Sequence, residues 1–254
     1  MVIVSFISPA KNSVTVLSFG IKSCSVNDKI KYFKKEGEAL EEGLSNNVYA
    51  SEDKILKVYT HFPLTSFYAT FLELITGNLD YISRNDRINV EKEIIPFIEE
   101  AGLKSPEILD SGEEFVIFQK IEGESGYQHL NNCSEAEAES FGRALKNFLV
   151  DLHNQGVALR DARVSNYLVG DSIYSIDHEY ASVDAGRFFF FIDELTVTSS
   201  ARQTDKYHSF VKGFKPRRIA IVLSIFMAFY HSILFERDFN RFKRIFGSLR
   251  KDFF

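Results

Sequence analysis

The chain has 254 residues, 45% of them hydrophobic and 26% charged, with a formal net charge of −5. That is one large domain or two small ones with enough apolar side chains for a full core, and the negative balance excludes a chain that is basic throughout, as a general nucleic-acid binder would be. Cys24 and Cys133 stand too far apart for a metal-binding pair or a disulfide framework, and the N-terminus has apolar patches but no basic leader, so a cytoplasmic protein without a secretion signal is expected.

Residues 1–20 read as two short strands around a turn at Ser8–Asn12, with Val14 and Val16 favouring strand. The charged run 27–42 is either a short helix or a solvated strand and turn. A polar tip follows, Gly43-Leu44-Ser45-Asn46-Asn47-Val48, whose Gly and Asn residues tolerate tight-turn backbone angles. Lys54–Tyr59 then alternates as a strand, with Ile55, Lys57 and Tyr59 on one face and Leu56 and Val58 on the other. A strand-turn-strand of this kind can turn backbone N–H groups toward anionic oxygens, although one Gly alone is a weak phosphate-loop signal.

Phe67, Tyr68, Phe71, Leu72, Leu74 and Ile75 share a helical face, and so do Val90, Ile94, Phe97, Ile98 and Ala101. Gly102 suits the end of the second helix, and Pro96 would kink it or mark a break. Glu114–Gly123 contains an apolar strand. Ser134 and Glu137 predict a capping box ahead of a helix striped by Phe141, Leu145, Phe148, Leu149 and Leu152. His153, on its last turn, suits a structural hydrogen bond better than catalysis. The four consecutive Phe residues 188–191 predict a deeply buried element, with Asp184 as its cap or anchor. Ile219–Phe235 carries no formal charge but is short for a spanning helix, so a buried helix is expected. The tail 237–254 holds six basic and two acidic residues among Phe side chains. It reads as a solvated terminal helix or as a contact for an acidic partner, a membrane surface or nucleic acid.

The densest constellation is Leu152–Tyr180. Asp161, Asn166 and Asp177 each sit beside a short apolar run. Two short strands turning at Gly170-Asp171 would bring Asn166 and Asp177 to one end of a hairpin, with Asp161 on the loop before it. Three such oxygen donors suit Mg²⁺. Asp and Asn at these places also cap ordinary turns.

Leu159-Arg160-Asp161-Ala162-Arg163-Val164-Ser165-Asn166, followed by Asp177-His178-Glu179, resembles the catalytic and metal loops of the protein-kinase-like superfamily. The closest likeness is to its small atypical branch, RIO-type kinases and the KEOPS-complex kinase. Leu159 stands where the motif usually has His, and His178-Glu179 replaces Phe-Gly. The short segment after Asp177, without Ala-Pro-Glu, also resembles that branch.

The resemblance implies an α+β, two-lobe fold, with a β-rich N lobe at 1–120, a mostly helical C lobe at 121–254, and ATP and Mg²⁺ in the cleft. Gly43, Ser45, Asn46, Asn47 and Val48 would form the nucleotide loop. Lys57 would hold the phosphates, aligned by Glu91, with Glu93 as the rival. The backbone of Gln119 and Ile121 would meet adenine, and Ile117 or Phe118 would border its pocket. Asp161 would act on the incoming hydroxyl, Arg163 would neutralise the transferring phosphate, and Asn166 and Asp177 would hold Mg²⁺. The implied activity is Ser/Thr protein phosphorylation. A small-molecule kinase of the aminoglycoside or choline type shares the Asp-Asn-Asp layout, and a nucleotide-binding scaffold is the third reading.

Overall fold

The structure, a computed structural model, describes residues 3–6, 15–18, 26–36, 38–42, 46–59 and 84–231. The expected helical face at 67–75, the tip residues Gly43 and Ser45, Cys24 and the basic tail lie outside the described residues.

Strands β1 (Ile3–Phe6) and β2 (Thr15–Ser18) form an antiparallel pair. The charged run resolves into both of its alternatives in succession. It forms helix α1 (Val26–Glu36) and then strand β3 (Glu38–Glu42). Strand β4 (Asn46–Ala50) begins at the asparagines, so Asn46, Asn47 and Val48 are strand residues rather than the turn expected from their type. Their ladder pairing to Val58, Lys57 and Tyr59 overrides the local turn preference. Strands β5 (Lys54–Tyr59), β6 (Ile108–Ser111) and β7 (Phe115–Gln119) complete a five-stranded antiparallel sheet in the order β3-β4-β5-β7-β6.

Each face of this sheet has its own cover. Leu56, Val58, Tyr49, Phe115 and Ile117 pack with Phe33 of α1. Tyr59 and Val116 pack on the other side with Ile88 of helix α2 (Arg84–Glu100). Helix α2 runs through Pro96 without a break. Pro96 is exposed, so its ring lies on the solvent side of the helix. The helix ends as expected at Gly102, whose φ of 92° is left-handed. Gly102 N–H donates to the Glu99 carbonyl and Leu103 N–H to that of Ile98, while Ile98 and Leu103 meet in the core. This is a Schellman closure.

The rest of the chain is mainly helical. After the short strand β8 (Glu124–Ser125) come α3 (Gly126–Asn132) and α4 (Glu135–Asn154). Both start with capping boxes, Ser125 with Gln128 and the predicted Ser134 with Glu137. A one-turn 3₁₀ segment, Val164–Asn166, leads into the hairpin β9 (Tyr167–Val169) and β10 (Ile173–Ser175). Helices α5 (Arg187–Ala201), α6 (Tyr207–Phe214) and α7 (Arg218–His231) follow.

Two expectations fail on α5. Gly186, not Asp184, is its N-cap, and no side chain caps it. The Phe run is not deeply buried: Phe188 is exposed and Phe189, Phe190 and Phe191 are half-buried. The buried stretch is the polar one, Asp193–Ser199. Thr196 and Thr198 satisfy their hydroxyls on the carbonyls of Ile192 and Glu194, one turn back. Helix α7 likewise departs from a fully buried helix, since it buries only one face.

The main core joins Ile94 and Ile98 of α2 to Phe141, Leu145, Phe148 and Leu152 of α4, Val197 of α5 and Phe210 of α6. Leu159 belongs to this core, which accounts for an apolar residue at the usual His position. Helices α4 and α6 touch backbone to backbone. A Cβ at Gly142 would stand 2.2 Å from the Phe210 carbonyl oxygen, and one at Gly213 would stand 1.9 Å from that of Glu139. Gly142→Ala and Gly213→Ala should therefore each cost about 1–3 kcal/mol in urea unfolding, because the helices must part to admit the methyl; unchanged midpoints would contradict this close packing.

Candidate active site

The site forms where the α2 side of the sheet meets the Asp161 loop and the β9–β10 hairpin. Strand alternation points Lys57 away from the α1 core and toward α2. Its Nζ lies 2.8 Å from Glu91 Oε2, 2.5 Å from Asp177 Oδ1 and 3.1 Å from Glu179 Oε2. One ammonium thus meets carboxylates from α2, the end of the hairpin and the loop beyond it. Tyr59, two residues along the same strand face, donates its hydroxyl to Glu91 Oε2. Arg87, one turn before Glu91 on α2, reaches Glu179 Oε1 at 3.3 Å. Asn46 Nδ2 donates to Glu179 Oε2 at 2.9 Å, so β4 is tied to the same group.

The electrostatics favour charged groups in a confined space. Burial opposes the Lys57 ammonium, but Asp177, Glu91 and Glu179 outweigh it and hold its pKa well above the usual lysine value. Burial likewise opposes the Asp177 carboxylate, yet the Lys57 ion pair and hydrogen bond bring its pKa below the ordinary value. Glu179 goes the other way, because its burial outweighs Lys57 and the neighbouring acids add to the upward shift. Oxygens of Glu91, Asp177 and Glu179 lie within 4.8 Å of one another. Three acids around Lys57 and Arg87 leave an excess of negative charge, a donor set that fits a hard cation.

The Asp161 loop is set from below by Asp193 of α5. This fully buried carboxylate accepts N–H bonds from Leu159 at 2.9 Å and Arg160 at 2.6 Å, and it meets His153 Nε2 at 3.0 Å. His153 therefore has the structural role expected of it. Arg160 has φ 65° and Asp177 φ 63°, left-handed conformations that cost a non-Gly residue of order 1–2 kcal/mol each. The Asp193 bonds hold the first. The Ile176 N–H bond to the Asn166 carbonyl, at 2.9 Å, fixes the chain next to the second. Asn166 Nδ2 donates to the Asp161 carbonyl at 2.8 Å. Arg163 grips both Asp161 carboxylate oxygens, at 2.8 and 2.7 Å.

The structure thus gathers Lys57, Glu91 and Asp177 in one cluster and Asp161, Arg163 and Asn166 in another. Glu91 rather than Glu93 meets Lys57, and Glu93 is exposed. Directly opposed residues of an antiparallel pair share a face, so Asn46 and Val48, opposite Tyr59 and Lys57, stand on the Lys57 side. Asn47, opposite Val58, stands on the α1 side. Ile117 packs with Phe33 on the α1 side, whereas Phe118 packs on the Tyr59 side. The Gln119 N–H is already donated to the Glu107 carbonyl and that of Lys120 to the Asp53 carbonyl. Ile121 N–H makes no backbone bond among the described residues.

Sequence reasoning missed Tyr59, Arg87, Glu179 and Asp193 as parts of this arrangement. Alternation past Lys57 and helical spacing before Glu91 were usable signals for Tyr59 and Arg87. Asp193 was marked only as an acid directly after a long apolar run.

A five-stranded antiparallel sheet backed by α2 and set over a helical half, with the Asp161 loop and the Asp177 hairpin between them, is a two-lobe protein-kinase-like fold. No family model and no curated protein matches the chain. Among solved structures it is similar to WaaP in complex with acyl carrier protein, at TM-score 0.50 and 14% identity, over 80% of this chain and 92% of that one. At that identity the likeness is one of fold.

His178 supplies a pH-dependent prediction. It is buried, meets Ser175 Oγ at 2.9 Å, and its pKa falls to about 4, chiefly through burial. Its unfolded value is about 6.5, so the unfolded chain binds the extra proton between the two. The contribution of neutral His178, about 3 kcal/mol, is complete above pH 6.5 or so and is lost as pH falls toward 4. Denaturant unfolding of the ligand-free protein across this range should show the decline, and His178→Gln should flatten it; an identical slope in the variant would contradict the assignment.

Proposed function

We propose that the chain is an ATP-dependent phosphotransferase, with lobes divided near residue 120 and the nucleotide between them. The observation that carries this reading is the buried Lys57 ammonium held by Glu91 and Asp177 beside the Asp161–Asn166 loop. In the proposed reaction the acceptor hydroxyl oxygen bonds to the γ-phosphorus, the bond from that phosphorus to the β–γ bridging oxygen breaks, and ADP departs. Asp161 accepts the hydroxyl proton. Lys57, aligned by Glu91 and Tyr59, holds phosphate oxygens. Arg163 lies against Asp161 and so brings a guanidinium to the side where charge develops. Mg²⁺, held by Asp177 and Asn166, would neutralise phosphate charge. Releasing Nζ from Asp177 frees both groups for these tasks. Asn46 Oδ1 is buried with no hydrogen-bond partner among the described residues, so this strand has an acceptor to offer a nucleotide or its water. Gly43, Ser45 and Val48 belong to the same proposed loop, and Phe118 with Ile121 N–H to the adenine side.

The resemblance to RIO-type kinases favours a Ser or Thr hydroxyl of a protein as the acceptor. One observation favours a small-molecule acceptor instead. Helix α5 begins only ten residues after Asp177, and the intervening chain is pinned to the catalytic segment by two bonds, Ala158 N–H to Ser182 O at 3.0 Å and Ser182 N–H to Ala158 O at 2.8 Å. A loop this short offers little edge for an extended peptide.

The test is incubation with γ-labelled ATP and Mg²⁺ against a generic protein substrate and a panel of aminoglycoside and amino-alcohol acceptors. Wild type should transfer label to one class, and Asp161→Ala should slow transfer by about 10²–10⁴-fold. Binding of ATP with no transfer to protein, small molecule or water would instead favour the scaffold reading.

A further inference from the structure

Helix α7 is turned inside out. Its inward face carries small residues at every fourth position, Ala220, Ser224 and Ala228, all fully buried, with Ile225 as the one large buried side chain among its described residues. Ser224 is held there by a 3.0 Å bond from buried Arg202. Its outward face carries the large apolar residues, Ile219, Val222, Leu223 and Phe226, which are 59%, 43%, 36% and 67% exposed. The spacing i, i+3, i+4, i+7 makes them one stripe. A helix that served only the core would present the large side chains inward, as α4 does.

The surroundings of the stripe say what would cover it. Residues 206–231 hold five Lys or Arg and no Asp or Glu, and Lys212, Lys215, Arg217 and Arg218 are exposed at or just before the start of α7. The whole chain has net charge −5, yet residues 206–254 carry eleven basic and three acidic residues. Among the described residues Lys212, Lys215 and Arg218 bring positive charge to the start of the apolar stripe, while Arg217 is ion-paired to Glu194. The chain's own tail is a poor cover by composition, since residues 237–254 hold six basic residues to two acidic ones. A second copy has the same objection, since two collars would face each other.

We propose that α7 and its basic approach form a docking face for an anionic lipid bilayer surface. The stripe would sit among the acyl chains and the collar among the headgroups, the arrangement of a helix lying in the membrane interface. The described part of α7 is 14 residues, about 21 Å, against a hydrocarbon core of about 30 Å, and no described helix is long and apolar enough to cross a membrane. The approach to this face and the Asp161 loop both contact helix α5. Arg217 lies over the Phe191 ring at 4.9 Å, and two residues earlier on α5 Phe189 lies against Arg160, the neighbour of Asp161.

The experiment is flotation of the full chain with phosphatidylcholine vesicles, with and without phosphatidylglycerol. Wild type should float with the anionic vesicles at low salt, more weakly as salt rises, and little with phosphatidylcholine alone. Ile219→Ser with Phe226→Ser, and separately Lys215→Glu with Arg218→Glu, should each weaken binding by at least about tenfold without lowering the melting temperature. Failure of wild type to float, or flotation of the serine variant equal to wild type, would overturn the proposal. So would a wild-type dimer, seen by light scattering without lipid, that the serine substitutions dissolve. Single-stranded RNA that binds this face in preference to the vesicles would overturn it as well.

Discussion

The Lys57 ammonium is the point on which the rest of the site depends. Removing ions from water costs several kcal/mol each, and a charge cluster persists inside a protein only when its geometry returns that cost. Here four segments send groups to the cluster around it. Strand β5 supplies Lys57 and Tyr59, α2 supplies Glu91 and Arg87, β4 supplies Asn46, and the segment after the hairpin supplies Asp177 and Glu179. The sheet and the helical half are thus joined through polar contacts as well as through the Ile94–Ile98 core contact. An interface of this type can rearrange when a competing anion or cation arrives, because its bonds are interchangeable in a way that packed methyl groups are not.

The second constraint is the buried carboxylate of Asp193. Burial raises its pKa, although His153 and two backbone N–H groups favour its charged form. Those same N–H bonds hold Arg160 in a left-handed conformation and so set the direction in which Asp161 leaves the loop. Helix α5 pays for this with an inverted pattern: its polar middle is inside and its Phe-rich start is half outside. Phe189, Phe190 and Phe191 are not stranded, since they lie against Arg160, His153 and Arg217 respectively.

Where local pattern and tertiary demand agree, the fold was legible from sequence. The β5 alternation, the Gly102 helix end, the Ser134 capping box and the Gly170-Asp171 hairpin all follow from period and turn chemistry. Misreadings cluster where tertiary contacts override local preference. Asn46 and Asn47 look like turn residues but complete a ladder with β5. The Phe run looks like core, yet the core takes Asp193 and Glu194, because each buried acid has donors to meet: Leu159 and Arg160 for one, Arg217 and Lys146 for the other. Residue type gives the hydrophobic content of a segment; it does not reveal partners more than twenty positions away. For the same reason Glu179 was visible only as a departure from a motif, although it gathers Lys57, Arg87 and Asn46.

The central claim is that the carboxylates around Lys57 serve to handle a nucleotide and its metal as well as to hold Lys57 in the fold. Asp177 is ion-paired to the buried Lys57 and folding favours its charged form, so neutralising it should lower the stability of the ligand-free protein and also weaken its grip on the metal. Calorimetric titration with Mg·ATP, paired with thermal unfolding, tests this on wild type and Asp177→Asn. The account predicts a folded variant with a lower melting temperature and with Mg·ATP binding weakened by at least about tenfold, or 1.4 kcal/mol. A variant that binds Mg·ATP as tightly as wild type, or a wild-type protein that binds none, would contradict it.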